Sequence, residues 1–188
     1  MIMQAKILRC KEFLKSAVYD CSGWYRWWVK ETEVRLLLDS SYLSKKYYDT
    51  LAAFLHKGEG VLNDYIYIYS GISGSIQGRL NWHINQKHSD ANIGNGYLST
   101  LRQSISSLIS GNQKDETATN DFLDKLMVEY FSVDENDKNK AKVFLKKNEK
   151  QQMSDYVIPL NMSGNKRPEL KEFLKDLEKC RKNAKKGY

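Results

Sequence analysis

The sequence has few cysteines and no long hydrophobic run. Its three cysteines, Cys10, Cys21 and Cys180, are odd in number and far apart, and no CxxC or clustered His/Cys spacing occurs. These absences argue against a zinc site, and they favour a reduced, cytoplasmic compartment. No apolar run approaches the roughly eighteen residues needed to cross a bilayer, so no membrane partner is expected.

Length and composition are typical of one globular domain. The 188 residues are 41% hydrophobic and 28% charged, which is ordinary for a folded protein. We expect a single domain over residues 1–188 with three additions. These are an N-terminal helix within residues 1–20, a helical insert at residues 31–57, and a basic C-terminal helix and tail at residues 163–188.

The net charge of +7 is concentrated near the C-terminus. Residues 1–140 carry 17 Lys/Arg and 17 Asp/Glu, whereas residues 141–188 carry 13 Lys/Arg and 6 Asp/Glu. Such an excess is typical of a surface that binds a polyanion. The alternative is a solvated helix with a frayed, lysine-rich tail. Residues 115–137 carry eight acidic residues against one lysine, and we expect this segment to face away from nucleic acid.

Hydrophobic periodicity predicts an α/β (α+β) fold with a small central antiparallel three-stranded sheet flanked by helices. The predicted strands are residues 24–29, 61–69 and 127–133. The predicted helices are residues 2–18, 31–38, 42–55, 75–86, 97–109, 120–125 and 138–155, with a last helix opened by Pro168. In the second strand, the alternation predicts Tyr65, Tyr67 and Tyr69 on one face. Gly71 and Gly74 are predicted to form the turn into the next helix.

Four residues around that turn form a chemically suggestive pattern: Tyr25, Tyr69, Arg79 and His83. Arg79 and His83 lie one helical turn apart, so they project from the same face of a helix. Phosphodiester cleavage needs a base, a cation for the phosphate and help for the leaving oxygen. Each residue alone has an ordinary explanation, such as a core tyrosine or a solvated arginine, and only the joint spacing favours a site.

The pattern resembles that of the GIY-YIG nuclease superfamily. Gly23-Trp24-Tyr25 and Tyr69-Ser70-Gly71 match its two strand motifs, although Trp24 and Ser70 depart from the usual residues. More narrowly, the chain resembles small stand-alone bacterial GIY-YIG nuclease family proteins. That likeness rests on the tryptophan-rich first strand, on Ser99-Thr100-Leu101-Arg102, and on Pro159-Leu160-Asn161 followed by Asn165, and it covers roughly residues 20–180.

The resemblance implies an active site of Tyr25, Tyr69, Arg79 and His83, in which Arg79 stabilises the phosphate. It leaves open which tyrosine takes the proton; we expect Tyr25 to be the general base, with Tyr69 and His83 assisting it or positioning the water. It also implies that Glu149 binds a single Mg²⁺, for which Mn²⁺ can substitute. The expected nucleic-acid contacts come from the family landmarks and from the basic C-terminal segment; they are Arg102, Asn161, Lys179, Arg181, Lys182, Lys185 and Lys186. Arg102 could instead pair with an acidic residue.

The resulting hypothesis is a metal-dependent endonuclease that hydrolyses DNA phosphodiester bonds, with double-stranded DNA as its expected substrate. A role in restriction, repair, homing or phage defence is left open, as is a homodimer or a partner protein. Recognition would come from residues 31–57, from a predicted loop at residues 88–96, or from a partner. The alternative hypothesis is a non-catalytic protein on the same fold that binds nucleic acid or a protein partner.

Overall fold

The computed structural model describes residues 6–13, 20–134 and 137–187. The strands of this part are β1 (Lys6–Arg9), β2 (Gly23–Lys30), β3 (Tyr65–Ser73) and β4 (Met127–Ser132). The α-helices are α1 (Cys10–Phe13), α2 (Glu31–Leu38), α3 (Tyr48–Leu51), α4 (Ile76–Asn85), α5 (Asp90–Gly94), α6 (Thr100–Ile109), α7 (Glu116–Leu123), α8 (Lys138–Asp155) and α9 (Lys171–Lys186). Short 3₁₀ turns span Ala52–Phe54, Gly60–Leu62 and Pro168–Leu170.

The four described strands form one antiparallel sheet in the order β1-β4-β2-β3. The predicted fold class is therefore confirmed, with one strand more than expected. That strand is β1, and over Lys6–Arg9 it contradicts the N-terminal helix predicted within residues 1–20, whereas Cys10–Phe13 do form the short helix α1. Lys6–Arg9 pairs with the edge of β4, from Lys6 opposite Tyr130 to Arg9 opposite Met127. A partner from far along the chain overrides the local helical spacing. The rest of that prediction, residues 1–5 and 14–19, lies outside the described residues.

Several predicted boundaries also move. Helices α2 and α8 begin and end where the sequence predicts, but residues 42–55 form only the short helix α3 and a 3₁₀ turn. The predicted loop at residues 88–96 contains the short helix α5. The second predicted strand shifts from residues 61–69 to Tyr65–Ser73. Gly71 therefore lies inside a strand, where sequence analysis places a turn.

Helices cover both faces of the sheet. On one face, Tyr25, Trp27 and Val29 of β2 pack into the main core with side chains from α2, α4, α6 and α9. On the other face, Trp24 packs on Ala141 and Leu145 of α8. β2 is buried from Gly23 to Val29 apart from the partly buried Arg26, as expected for a central strand with both faces covered.

A β-bulge in β3 changes which face its side chains occupy. Trp27 pairs with Tyr69 but Trp28 pairs with Tyr67, so Ile68 is the extra residue. Tyr67 packs with Trp28 on the α8 face, whereas Ile68 and Tyr69 pack in the main core. The prediction that Tyr65, Tyr67 and Tyr69 share a face is therefore wrong at Tyr69, because one inserted residue reverses the alternation beyond it.

Gly71 allows the side chain of Tyr25 to lie close to the main chain of β3. It lies opposite Tyr25, and a Cβ built on Gly71 would lie 2.3 Å from the Tyr25 hydroxyl oxygen. The Tyr25 ring thus crosses β3 over a residue that has no side chain.

In the described part of the chain, no helix is long and apolar enough to span a membrane.

We predict that Gly71→Ala destabilises the protein by about 1–3 kcal/mol, because the methyl group overlaps a buried ring. Gly74→Ala is the matched control, since nothing lies within 4 Å of a Cβ built there. Urea unfolding of both variants would measure the difference. Equal midpoints for Gly71→Ala and Gly74→Ala would contradict the close approach.

Candidate active site

Tyr25 and His83 form a buried hydrogen-bonded pair. The Tyr25 hydroxyl lies 2.8 Å from His83 Nε2, and the two residues are 3% and 1% exposed. Burial, together with the positive charges of Arg79 and Arg102, lowers the pKa of His83 to about 3. His83 is therefore neutral, and its Nε2 can either accept from Tyr25 or donate to it. Its buried Nδ1 has no partner among the described residues.

Tyr69 joins this pair from β3. Its ring centroid lies 5.7 Å from that of His83, and its side chain is partly exposed, unlike that of Tyr25. Burial raises the pKa of Tyr69 to about 12; Glu149 adds to the increase, while Arg79, Arg181 and Thr100 oppose it. The bulge described above is what brings this hydroxyl to the face of Tyr25.

The electrostatics show that four charged or ionisable groups converge. Burial raises the pKa of Tyr25 well above its ordinary value; Tyr69 and Glu149 also raise it, and Arg79 lowers it. The charges of Arg79 and Glu149 thus act on the pKa of both tyrosine hydroxyls. For both tyrosines burial is the largest effect, so their hydroxyls are protonated at neutral pH in the free protein.

Arg79 presents its guanidinium to solvent beside this pair. It lies in α4, which Ser75 caps by accepting a hydrogen bond from Gly78 N at 3.1 Å. The guanidinium carbon lies 4.9 Å from the Trp82 ring centroid, a cation–π contact that restricts its position. Among the described residues Arg79 has no hydrogen-bond or ion-pair partner, and it lines a cavity beside α8.

Glu149 is held in place by contacts on either side of it along α8. Leu145, one turn before it, packs on Trp24, which stacks on Phe131 with centroids 4.6 Å apart. Gln152, about one turn after it, accepts hydrogen bonds from Arg26 Nε and Nη2 at 2.9 and 2.6 Å. Both anchors are made with the sheet, so the segment of α8 that carries Glu149 has a fixed position.

The environment of Glu149 suits a hard cation. Burial raises the pKa of this half-buried carboxyl, and the charge of Lys146 opposes the increase. Within the described residues it has no salt bridge, and no cluster of three or more His, Cys, Asp or Glu side chains could hold a metal. A lone carboxylate fits Mg²⁺, which typically takes one or two protein carboxylates and completes its shell with substrate phosphates and water.

The side chain of Asn161 binds the main chain of Ser70, whereas the sequence predicts a contact with DNA. Its Oδ1 accepts from Ser70 N at 2.7 Å, and its Nδ2 donates to Ser70 O at 2.9 Å. The side chain is buried and is bound to the main chain between Tyr69 and Gly71. Asn161 therefore fixes the strand that carries Tyr69, and its amide is turned away from solvent.

Arg102 is also an internal group, and in place of the predicted contact with DNA its guanidinium is directed into the fold. It is 0% exposed. Its guanidinium donates to four acceptors: His88 Nε2, His83 O, Ile84 O and Asn120 Oδ1. These bonds tie α6 to the end of α4 and to α7, which stabilises the helix that carries His83. Sequence alone also allows Arg102 to pair with an acidic residue. None of these four bonds is to a carboxylate, because all four acceptors are neutral.

The basic residues of α9 divide into two groups. Arg181 points inward, donating to Gln103 Oε1 and contacting the Met162 sulfur, and its charge acts on Tyr69. It therefore belongs with the tyrosine site and not with an outer DNA surface. The exposed lysines keep the predicted position on the surface; they are Lys179, Lys182, Lys185 and Lys186.

Sequence analysis missed two contributors to this site. One is Gly71, whose role in the approach of Tyr25 is visible only once β2 and β3 are paired. The other is a set of lysines on α8 that line the cavity with Arg79: Lys138, Lys142 and Lys146. Their spacing of four residues is present in the sequence and could have indicated a basic stripe.

Comparison with known proteins gives one match. The family model described as the GIY-YIG catalytic domain matches residues 23–183. This stretch begins at the first residue of β2 and includes Tyr25, Tyr69, Arg79, His83 and Glu149. Comparisons with curated proteins and with solved structures found no match.

We predict that Asn161→Ala lowers the free energy of unfolding by about 2 kcal/mol or more, because it leaves the buried Ser70 N–H and C=O without partners. The exposed Asn63→Ala is the control. Chemical unfolding of both variants measures the change. A normal midpoint for Asn161→Ala combined with weakened DNA binding would restore the contact role first predicted for Asn161.

Proposed function

The chain belongs to the family of GIY-YIG catalytic domains, whose model covers more than half of its residues, and we propose that it is a magnesium-dependent endonuclease that hydrolyses DNA phosphodiester bonds. Family membership supports nuclease activity in general. The finer proposal is carried by one observation, which is the grouping of Tyr25 and Tyr69 around His83, with a hydrogen bond of 2.8 Å from Tyr25 and a ring contact of 5.7 Å from Tyr69. Arg79 and Glu149 lie near enough for their charges to act on the pKa of both tyrosines.

In this proposal Tyr25 accepts the proton of the attacking water. Its hydroxyl is bonded to a neutral His83 at 2.8 Å, so once Tyr25 is ionised, His83 can donate from Nε2 to the phenolate. A hydrogen bond to the charged form favours that form. His83 thus orients Tyr25 and stabilises its ionised state, while its own pKa of about 3 makes it a poor base.

Tyr69 is assigned to the positioning of water and phosphate. It is partly exposed, and three groups lower its pKa, so it is also the alternative base.

Arg79 is assigned to the phosphate. Its planar donors suit phosphate oxygens, and they are free to bind among the described residues. Charge that grows on the phosphate in the transition state is where such a cation contributes most.

Glu149 is assigned to Mg²⁺. When bound there, the ion would supply Lewis-acid stabilisation of the phosphate and of the leaving oxygen. Mn²⁺ accepts the same oxygen ligands and should substitute. Glu149 must be ionised to bind either ion. Its burial opposes ionisation and Lys146 favours it, so this lysine supports the carboxylate without a salt bridge.

The alternative of a non-catalytic binding protein on the same fold is less well supported. A protein that had lost catalysis would be free to lose residues of the active site. In this chain all five positions that match the family pattern are present: Tyr25, Tyr69, Arg79, His83 and Glu149. The test is incubation of the purified chain with double-stranded DNA, single-stranded DNA or RNA, with Mg²⁺, Mn²⁺ or a chelator. We expect cleavage of double-stranded DNA that the chelator abolishes. Absence of cleavage in every condition would overturn the proposal.

We predict that Glu149→Gln reduces the single-turnover cleavage rate by roughly a thousandfold or more, with DNA affinity little changed. Gln keeps the size of the side chain and removes its charge. Asp155→Asn is the control on the same helix, because Asp155 is exposed and bonded only to Gln151 among the described residues. Wild-type cleavage by Glu149→Gln would remove Glu149 from the metal site.

We also predict that the wild-type cleavage rate rises with pH above neutrality, by up to about tenfold per pH unit. The base acts when deprotonated, and burial raises the pKa of Tyr25, so the active fraction grows as pH increases. Tyr25→Phe should be nearly inactive and lose this dependence, and Tyr69→Phe should be slower but keep it. The opposite pattern in single-turnover pH profiles would make Tyr69 the base.

A further inference from the structure

A basic cleft separates α4 from α8 next to the tyrosine site. It has a volume of about 480 Å³ and is lined by Arg79 and by three lysines of α8, Lys138, Lys142 and Lys146. Its other walls come from Ser22, from the end of β3 and the turn that follows, and from Leu145 of α8. No acidic side chain is among the residues that line it in the described part of the chain.

The three lysines form a straight row that leads to the proposed metal ligand. They are four residues apart, so they lie on one stripe of α8 with about 6 Å of helix rise between neighbours. Glu149 is on the same stripe, three residues after Lys146, and the charge of Lys146 acts on its pKa. The row itself spans roughly two helical turns along one side of the cleft, and its far end lies about three turns from Glu149.

These lysines have their charges available. Lys45, Lys57 and Lys87, by contrast, are paired with carboxylates at surface sites. Among the described residues, none of the three cleft lysines has a hydrogen bond from its side chain or a salt bridge. On α9, Lys182 is paired with Glu178 and Lys185 donates to Gly94 O. Two of the four exposed lysines of α9 named above are thus engaged, whereas all three cleft lysines are unpaired among the described residues and share one cavity with Arg79.

We propose that Lys138, Lys142 and Lys146 bind successive phosphates of the DNA strand that is cleaved, so that the substrate backbone follows α8 into the site. This proposal rests on the proposed nuclease function and names the path of its substrate. Arg79, at the inner end, takes the phosphate that reacts. The lysines contact no base in this arrangement, so they determine affinity and not sequence preference.

The test is the salt dependence of DNA binding, measured with a short labelled duplex and a chelator so that no cleavage occurs. Each phosphate contact on duplex DNA contributes about 0.9 to the slope of log affinity against log salt concentration. The triple variant Lys138→Gln, Lys142→Gln, Lys146→Gln should therefore lose about two to three units of slope, and Lys142→Gln alone about one. Gln is as good a helix former as Lys, so α8 should be preserved.

Two controls keep the test specific. The first is Lys140→Gln, Lys147→Gln, which removes two charges from the side of the same helix away from the cleft and is compared with the double variant Lys138→Gln, Lys142→Gln. The second is Lys179→Gln, Lys182→Gln, Lys185→Gln, Lys186→Gln on α9. We expect the first to change the slope by less than that double variant does, and the second by less than the cleft triple does. A slope for the cleft triple equal to wild type, or a larger loss in either control, would overturn the proposal.

The outcomes also separate this proposal from the function on which it rests. If wild-type protein cleaves DNA and the cleft triple keeps the wild-type slope, the path along α8 is wrong and the nuclease stands. If wild-type protein neither binds nor cleaves DNA at low salt, both proposals fail. Unchanged sequence preference in the residual cleavage by the cleft triple would support backbone contact.

Discussion

The candidate site depends on one inserted residue in β3. Without the bulge at Ile68, strict alternation would put Tyr69 beside Tyr67 on the α8 face, away from Tyr25 and His83. Main-chain bonds hold the irregular segment: Leu160 N donates to Ile68 O at 2.9 Å, and Asn161 binds both main-chain groups of Ser70. The segment at residues 157–161 therefore acts as a clamp on the strand, and the position of Tyr69 depends on that clamp.

Helix α8 is a second constraint, because it carries both the carboxylate and the basic row. Its sequence is polar, with only Ala141, Leu145 and Gln152 buried, so few contacts fix it to the sheet. One of them is the Arg26–Gln152 pair, with two hydrogen bonds at 2.9 and 2.6 Å. The guanidinium of Arg26 is partly buried between aromatic rings, 5.3 Å from the Tyr67 centroid and 5.2 Å from that of Phe131, and Glu129 lies 3.4 Å away. A cation held this way keeps α8 in one register along β2.

The sequence was sufficient for features that depend on local pattern. Helices α2 and α8 and the strand at β4 follow from periodicity, and Arg79 and His83 share a helix because they are four residues apart. The features it could not supply depend on distant partners. β1 is a strand because the edge of β4 is open to it, and a bulge in β3 follows from pairing with β2. The alternation of apolar and polar residues along the sequence predicts neither the strand β1 nor the bulge in β3.

The corrected site residues share a physical cause. Arg102 and Asn161 were expected to contact DNA because a resemblance assigned a residue type to a position, yet a polar side chain can also serve the main chain. Arg102 is fully buried and makes four hydrogen bonds to internal acceptors. Asn161 is buried and is bonded to both main-chain groups of Ser70. Side chains used in this way are directed into the fold and not toward a phosphate. The cleft lysines are the reverse case. They look like a solvated face in the sequence, and only the position of α8 opposite Arg79 turns them toward a common cavity. Charge count alone therefore favours the C-terminal segment, whereas the unpaired lysines that share a cavity with Arg79 are found on α8.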